Sequence, residues 1–153
     1  MSQFDPATFI DATITEPTTR RPPLPAGREY IAVVGEPKPR EWQGKKDPTK
    51  SGIAVDVPLE IDLTAYPDVQ EKIGVPRVVV QDSIMLDTTP TGMIDNAPGK
   101  NGKMRRYRDA LDLNKPGDQF SFRAMQGRQL RVRIKHREHE GDLFEEVEAV
   151  AKA

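Results

Sequence analysis

Apolar and polar residues alternate with a period of two in three stretches of the first part of the chain, residues 28–37, 53–63 and 77–87. Because successive side chains of a strand point to opposite faces of a sheet, this alternation predicts three β-strands. In the second strand, Pro58 falls on the polar face. Since proline cannot donate a ladder hydrogen bond, this position indicates a sheet edge or a bulge.

The period changes in the second half of the chain, where Met104, Tyr107 and Leu111 are spaced at i, i+3 and i+7. This spacing predicts one amphipathic helix of about ten residues. The alternation of a strand returns in residues 130–137. A tight turn at "HEGD" then leads to a last strand, residues 143–150.

Three strands, one helix and two strands in this order are typical of the OB-fold, a five-stranded and partly open barrel. We therefore predict a mainly β protein, with a five-stranded OB-fold-like barrel over residues 27–153 and its one short helix between strands 3 and 4. Residues 1–26 contain five prolines and little apolar periodicity. They are predicted to form an extended arm with one short turn at residues 4–10, which packs on its own domain or on a neighbouring subunit.

The net charge of −1 conceals a strong segregation of charged residues along the chain. Residues 54–98 contain eight acidic and two basic side chains, whereas residues 100–108 and 128–137 each contain five basic and no acidic side chains. A protein that is nearly neutral overall is therefore expected to carry a strongly basic surface.

The absence of cysteine from the 153 residues excludes a disulfide framework, a thiolate metal site and a cysteine nucleophile. No apolar run approaches the roughly 20 residues that span a bilayer, and the N-terminus lacks the apolar core of a signal peptide. We therefore expect a cytoplasmic protein without a membrane partner.

The only tryptophan, Trp42, lies in "PREWQGKKDPTKSG", residues 39–52. The prolines and glycines of this basic stretch predict a loop between the first two strands, and OB-folds commonly hold oligonucleotides with that loop. An exposed indole can stack a base while neighbouring cations follow the backbone of a single strand. The alternative is that Trp42 folds back over the mouth of the barrel while the lysines only keep the loop soluble.

A second basic cluster surrounds the start of the predicted helix. Lysines near a helix N-terminus oppose the helix dipole, so a negatively charged partner explains Lys100 and Lys103 better than helix stability does. The alternative is a solvated helix face. The candidate nucleic-acid-binding residues are Trp42, which would stack a base, and seven basic residues that would contact phosphates: Arg40, Lys45, Lys46, Lys50, Lys103, Arg105 and Arg106.

The basic residues of the fourth predicted strand have a simpler explanation. If the hairpin turn is centred on residues 140–141, the two closing strands place bases opposite acids, and such cross-strand ion pairs are ordinary sheet stabilisers. This register predicts pairs of Lys135 with Glu146 and of Arg133 with Glu148, and it leaves Arg131 and Arg137 unpaired.

Signals for catalysis are weak. The chain contains no P-loop, no dinucleotide-binding fingerprint and neither a G-x-S-x-G nor an H-E-x-x-H motif. His136 and His139 lie beside acidic residues at the predicted hairpin tip, but no further ligand completes a metal site there. We therefore expect no enzymatic activity, no metal and no cofactor.

Several segments together resemble the small single-stranded DNA-binding proteins encoded by tailed bacteriophages. These are the opening "GREYIAVV", the basic loop closing in "KSG", the long apolar strand after it, the basic helix "MRRYRDAL" and the closing hairpin "GRQLRVRIKHREHEGDLFEEVEAV". The resemblance covers residues 27–150. It implies an OB-fold, binding of single strands without sequence preference, no cofactor, and a role in phage DNA replication or recombination in the host cytoplasm, with other phage replication or recombination proteins as partners.

Two further expectations concern the partner. The nucleic acid is single-stranded DNA or, by the same chemistry, single-stranded RNA. The alternative function is a protein-interaction or virion accessory module, in which the same small barrel assembles through its N-terminal arm, for example as a homo-oligomer.

Overall fold

The computed structural model describes residues 4–153 and builds them mainly from β-strands. The strands are β1 Glu29–Val34, β2 Lys38–Gln43, β3 Ser51–Asp62, β4 Arg77–Met85, β5 Gln129–His139 and β6 Asp142–Ala151. The helices are α1 Pro6–Ile10, α2 Pro67–Ile73 and α3 Gly102–Ala110, with short 3-10 turns at Leu63–Ala65 and Phe122–Met125.

The six strands form one antiparallel sheet in the order β2-β3-β1-β5-β6. Strands β2 and β1 pair one after the other with the same edge of β3, and β4 pairs with its opposite edge. The prediction of a mainly β protein is confirmed. The prediction of a five-stranded barrel is corrected, because the sheet has six strands and, within residues 4–153, no ladder joins β4 to β6 to close it. The additional strand is β2, which comes from the stretch predicted to be a loop.

Strands β1 and β2 together pair with the single long strand β3. Val34 of β1 is opposite Leu59, and Lys38 of β2 is opposite Asp56. Between these two pairs, the β1–β2 segment therefore contains one more residue than β3. This insertion is a bulge, and it lies opposite Pro58, one of the two situations predicted for that proline. A β-carbon on Gly35 would lie 2.9 Å from Pro58 Cγ, so the bend depends on a glycine there.

The core lies between the inner face of the sheet and α3. The alternating apolar residues of β1, β3, β4 and β5 are buried there, as their period-two pattern predicted. Met104 and Tyr107 contribute the buried side of α3. Each fully buried apolar side chain of this kind contributes roughly 1.5–3 kcal/mol to folding.

Helix α2 was not predicted from the sequence, although its two ends carry recognisable signals. Pro67 occupies the first turn, and Gly74 ends the helix with φ +88°, a conformation that favours glycine. Val69 and Ile73 are buried one turn apart. The helix is only seven residues long, so its apolar period is too short to be detected by pattern alone.

The predicted arm contains both a free and an anchored part. The turn predicted at residues 4–10 is helix α1, which Asp5 caps by accepting a hydrogen bond from Ala7 N–H at 3.1 Å; residues 1–3 of the arm lie outside the described residues. Leu24, near the end of the arm, is fully buried in the core. Packing on its own domain, one of the two arrangements expected for the arm, therefore applies to its last residues.

Candidate nucleic-acid interface

Trp42 lies on strand β2 and not in a loop. Its Cα partner across the ladder is Gly52 on β3, and the turn of this hairpin comprises only residues 44–50. Gly44 N–H donates to the carbonyl of Lys50 at 2.8 Å and so closes the turn. The prediction of a loop over residues 39–52 is correct for residues 44–50 and wrong for the strand residues on either side of them. Pro39 is tolerated in β2 because this is an edge strand, where no further strand needs its missing N–H.

The indole of Trp42 lies directly over Gly52. A β-carbon on Gly52 would be 2.7 Å from Nε1 and 2.9 Å from Cε2 of the ring, which is closer than such atoms can approach. Nε1 is buried and has no hydrogen-bond partner among residues 4–153, while the side chain as a whole remains partly exposed. Trp42 is therefore neither a freely exposed loop residue nor a cap over the barrel mouth, but a ring packed on the outer face of the sheet.

Strand β2 places three adjacent functional side chains on that same outer face. Lys38, Arg40 and Trp42 are two residues apart, so they point to one side of the strand. In the ladders, Arg40 is paired with Ala54 and Ala54 with Met85, whose side chain is 49% exposed. Lys38 was not among the predicted site residues, although its spacing from Arg40 and Trp42 was a signal that could have revealed it.

Arg40 is partly neutralised by Asp56 on the neighbouring strand. Its Nε donates to Asp56 Oδ2 at 2.9 Å, and the Ser83 hydroxyl donates to Oδ1 at 2.5 Å. The hydrogen bond from Ser83, followed by that from Arg40, holds the pKa of Asp56 below its ordinary value, so this carboxylate is ionised at neutral pH. Arg40 can approach a phosphate only in competition with Asp56.

The three lysines of the hairpin turn are available to a ligand. Lys45, Lys46 and Lys50 are exposed, and none of them makes an ion pair with the residues that the structure describes. Asp47, the acid between them, accepts hydrogen bonds from Thr49 N–H and Thr49 Oγ1 instead. The hairpin turn therefore carries a net positive charge next to Trp42.

Lys103 on α3 has a structural partner. Its Nζ lies 2.8 Å from Asp82 Oδ1 and donates to the Ser83 carbonyl at 2.8 Å. Tyr107 donates to the other carboxylate oxygen of Asp82 at 2.6 Å, and burial, together with the charge of Asp82, raises the Tyr107 pKa. The position of Lys103 in the first turn of the helix is thus explained by Asp82 without an external partner.

Arg105 and Arg106 differ from Lys103. Both are exposed and make no ion pair within residues 4–153, so they remain candidates for phosphate contacts. The hairpin and the helix are linked through β4, because the Ser83 hydroxyl contacts Asp56 while the Ser83 carbonyl contacts Lys103. The structure therefore joins Arg40 and Lys103 in one network, and it leaves the hairpin lysines and Arg105 and Arg106 outside it.

The basic side chains of β5 are largely neutralised by acids. The predicted register is confirmed for Lys135 opposite Glu146, but a shift between Arg133 and Ile134 changes the pairing beyond it. The prediction that Arg131 and Arg137 are unpaired was wrong. The predicted ion pair of Arg133 with Glu148 is confirmed at 3.3 Å, but Glu146 pairs with Arg137 at 3.4 Å and not, as predicted, with Lys135. Arg131 pairs with Glu29 at 3.3 Å.

The outer face becomes acidic at the end far from the hairpin turn. Glu60 and Asp62 point outwards from β3, and the nearest base, Arg77, lies 3.8 Å from Glu60. An open cavity of about 450 Å³ surrounds Trp42 at the hairpin, whereas one of about 370 Å³ lies beside Glu60 and Asp62. The surface is thus basic around the first cavity and acidic beside the second.

The histidines of the closing hairpin have structural surroundings. His136 Nε2 lies 2.7 Å from the Leu24 carbonyl and His139 Nε2 lies 3.8 Å from Glu140 Oε1. Within residues 4–153, no group of three or more histidine, aspartate or glutamate side chains is placed to hold a metal ion. None of the helices in the same range is long and apolar enough to cross a membrane.

No protein-family model matches the chain, and a comparison with curated proteins finds no match to its sequence. The function is therefore proposed from the chemistry and geometry of the outer face.

Proposed function

We propose that this protein binds single-stranded DNA, without sequence preference and without catalysis, on the outer face of the β2–β3 hairpin. The observation that carries the proposal is the indole of Trp42 packed on Gly52 beside Lys38, Arg40 and the three unpaired lysines of the turn. Aromatic stacking with cations that follow the backbone is the usual chemistry of non-specific single-strand binding.

The strand pairing supports an OB-like arrangement for this face. The bent strand formed by β1 and β2 pairs with β3 and β5, β3 pairs with β4, and β5 pairs with β6, while α3 lies between β4 and β5 in the sequence. We propose a partly open barrel of the OB type. Two cavities place residues 79–81 beside 144–145 and Asp82 beside 147–150, so β4 and β6 run in the same direction across the open side.

The charge distribution limits the path of the strand. Glu60 and Asp62 repel phosphates at the far end of the outer face, so on the sheet the DNA covers the hairpin end and continues over Lys45, Lys46 and Lys50. Arg105 and Arg106 of α3, which are exposed, add phosphate contacts. One stacked base contributes roughly 1–3 kcal/mol and is compatible with any sequence, because every base has a π-face.

Affinity for fluorescent oligo(dT), measured at several salt concentrations, tests the proposal. Three to five phosphate contacts imply that log affinity falls with log salt with a slope of about −2 to −3.5. Lys45→Ala with Lys46→Ala should weaken binding and reduce the size of that slope by about 1.4. The control is Lys135→Ala on β5, which should change neither quantity. A flat salt dependence, or the same loss in the control, would contradict the proposal.

The biological setting follows from the resemblance to phage single-stranded DNA-binding proteins, and we propose replication or recombination of phage DNA as the role. A second candidate function is a protein-interaction or virion accessory module. The specific observation in its favour is the apolar segment at the N-terminus, in which Phe4, Phe9, Ile10 and Ile14 are all exposed. The same oligo(dT) titration separates the two functions, because an interaction module would show no salt-dependent binding.

A further inference from the structure

The N-terminal arm is fixed to the domain at one point. The Leu24 N–H donates to Glu145 at 2.6 Å and the Leu24 carbonyl lies 2.7 Å from His136 Nε2, so two opposed residues of β5 and β6 hold the backbone on both sides of Leu24. Arg21 adds an ion pair to Glu145, and Arg20 donates to the Leu143 carbonyl. Residues 20–24 thus run along the edge of β6 that faces β4.

A groove remains between the anchored arm and β4. It has a volume of about 450 Å³ and is lined by residues 79–81 on one side and by Arg20, Arg21, Pro23, Phe144 and Glu145 on the other. The Glu145 carboxylate is already paired with Arg21. Strand β4 pairs only with β3, so alternate backbone groups of residues 79–81 face the groove without a partner strand among the described residues. An open strand edge beside a groove that holds both apolar and charged side chains is a site for an added strand.

The free part of the arm has the sequence of a strand. Residues 8–15, "TFIDATIT", are rich in β-branched residues, and from residue 10 onwards Ile10, Ala12 and Ile14 alternate with polar residues. Part of this segment lies in α1, but a five-residue helix is marginal in water without packing. Ile10 and Ile14 are 80% and 81% exposed, so the domain to which they belong does not cover them.

We propose that residues 8–15 of one molecule add as a strand to the open edge of β4 in a second copy, and that the exchange is reciprocal and gives a two-fold dimer. Residues 4–16 contain Asp5, Asp11 and Glu16 and no base. On the groove, Arg20 has no carboxylate partner within residues 4–153. The charges are therefore complementary.

The geometry of the arm supports exchange between two copies. The arm leaves the groove at Arg20, and sixteen extended residues reach about 50 Å, more than the width of a domain of this size. A reciprocal exchange satisfies both open edges and ends the assembly at two molecules. This interaction does not depend on nucleic acid, and it stands or falls separately from single-strand binding.

Sedimentation velocity of the full chain without DNA tests the exchange, with dimers expected in the micromolar range. Ile10→Asp with Ile14→Asp should raise the dimer dissociation constant by at least about tenfold, because two apolar side chains on the paired face are lost. Thr13→Asp with Thr15→Asp is the matched control, since it adds the same charge to the opposite face. All four positions are exposed, so the fold of the domain is unaffected.

A labelled peptide of residues 4–16 provides the second measurement. It should bind a chain that begins at residue 18, and Val79→Glu in the groove should abolish this binding. A full chain that stays monomeric at all concentrations overturns the proposal. A dimer that persists in the Ile10→Asp, Ile14→Asp variant also overturns it. So does a full chain that is monomeric and does not bind the peptide, because its own arm then occupies its own groove.

Discussion

Trp42 and Gly52 face each other across the β2–β3 ladder, and the indole occupies the space where any other residue at position 52 would have its β-carbon. An aromatic ring packed over a strand glycine loses little conformational freedom when a ligand stacks on it, because its orientation is already fixed. The glycine therefore matters for binding although it has no side chain to contact a ligand.

Gly52→Ala should displace the indole and reduce affinity for oligo(dT). The binding free energy should become less favourable by up to about 1–3 kcal/mol, which is the contribution of one stacked base. Fluorescence anisotropy measures the affinity, and the emission maximum of the single tryptophan reports the displacement. The matched control is Ser51→Ala, the exposed neighbour on the other face of β3. Full affinity and unchanged emission in Gly52→Ala would refute the role of the glycine.

The sequence identified Trp42 and the turn lysines as candidates and placed the lysines correctly outside the strands, but it placed Trp42 in a loop instead of on β2. Proline and glycine composition predicted a loop, whereas the period-two spacing of Lys38, Arg40 and Trp42 indicated a strand. Strand β2 buries almost nothing, so it lacks the apolar alternation by which strands are recognised. The orphaned indole Nε1 and its packing on Gly52 depend on tertiary contacts that no local pattern encodes.

At the scale of elements, α3 carries a structural lysine beside two exposed arginines. Lys103→Met should lower the free energy of unfolding by about 1–2 kcal/mol, because Asp82 loses a charged hydrogen bond at a partly exposed site, and it should leave oligo(dT) affinity unchanged. Chemical denaturation and anisotropy measure the two quantities.

The comparison variant is Arg105→Ala with Arg106→Ala. Since both side chains are exposed, stability should change by about 0.5 kcal/mol or less while affinity falls. If affinity falls only in Lys103→Met and not in the double arginine variant, Lys103 contacts the nucleic acid in spite of its ion pair with Asp82.

Asp56 connects β2 to β4 and gives the hairpin a defined response to acid. Its pKa in the folded protein lies below the ordinary value of 3.8, so its contribution to stability is complete above that value and is lost as the pH falls through the folded pKa. The difference in stability between the wild type and Asp56→Asn should therefore be constant near neutral pH and shrink below about pH 4. Thermal melts of both proteins from neutral to acidic pH measure this difference in stability. A difference that grows as the pH falls would show that the folded pKa of Asp56 is not lowered.

The sequence predicted the longer elements that bury an apolar face and missed the exposed strand β2 and the short helix α2. Strands β1, β3, β4, β5 and β6 and helix α3 were found near their observed positions because their periodicity is strong. Strand β2 is exposed and therefore has no apolar alternation, and α2 is too short to show a helical period, so neither was recognised in the sequence. The register of the closing hairpin was predicted near its turn and failed beyond Arg133, where a bulge shifts the pairing.

At the scale of the whole molecule, β4 and β6 are not paired with each other within residues 4–153, and the proposed arm exchange uses the open edge of β4. Two different segments occupy the open side between these strands, because Lys103 of α3 contacts the Ser83 carbonyl of β4 at one end, while arm residues 20–24 run along β6 at the other. Sequence could not predict this, since Leu24 lies in a proline-rich segment whose burial depends on Glu145 and His136 far along the chain. The two proposed interactions, single-strand binding and arm exchange, use different surfaces, so we expect that variants can remove each without the other.

The most direct test of the account is a fluorescence titration of the wild-type protein with oligo(dT) at low salt, because Trp42 is the only tryptophan and lies at the centre of the proposed site. Stacking of a base on the indole predicts saturable quenching of its emission, reversed when salt is raised. Oligonucleotide binding, detected by anisotropy, with unchanged tryptophan emission would place the DNA away from the β2–β3 hairpin. The absence of any binding at low salt would contradict the proposed function itself.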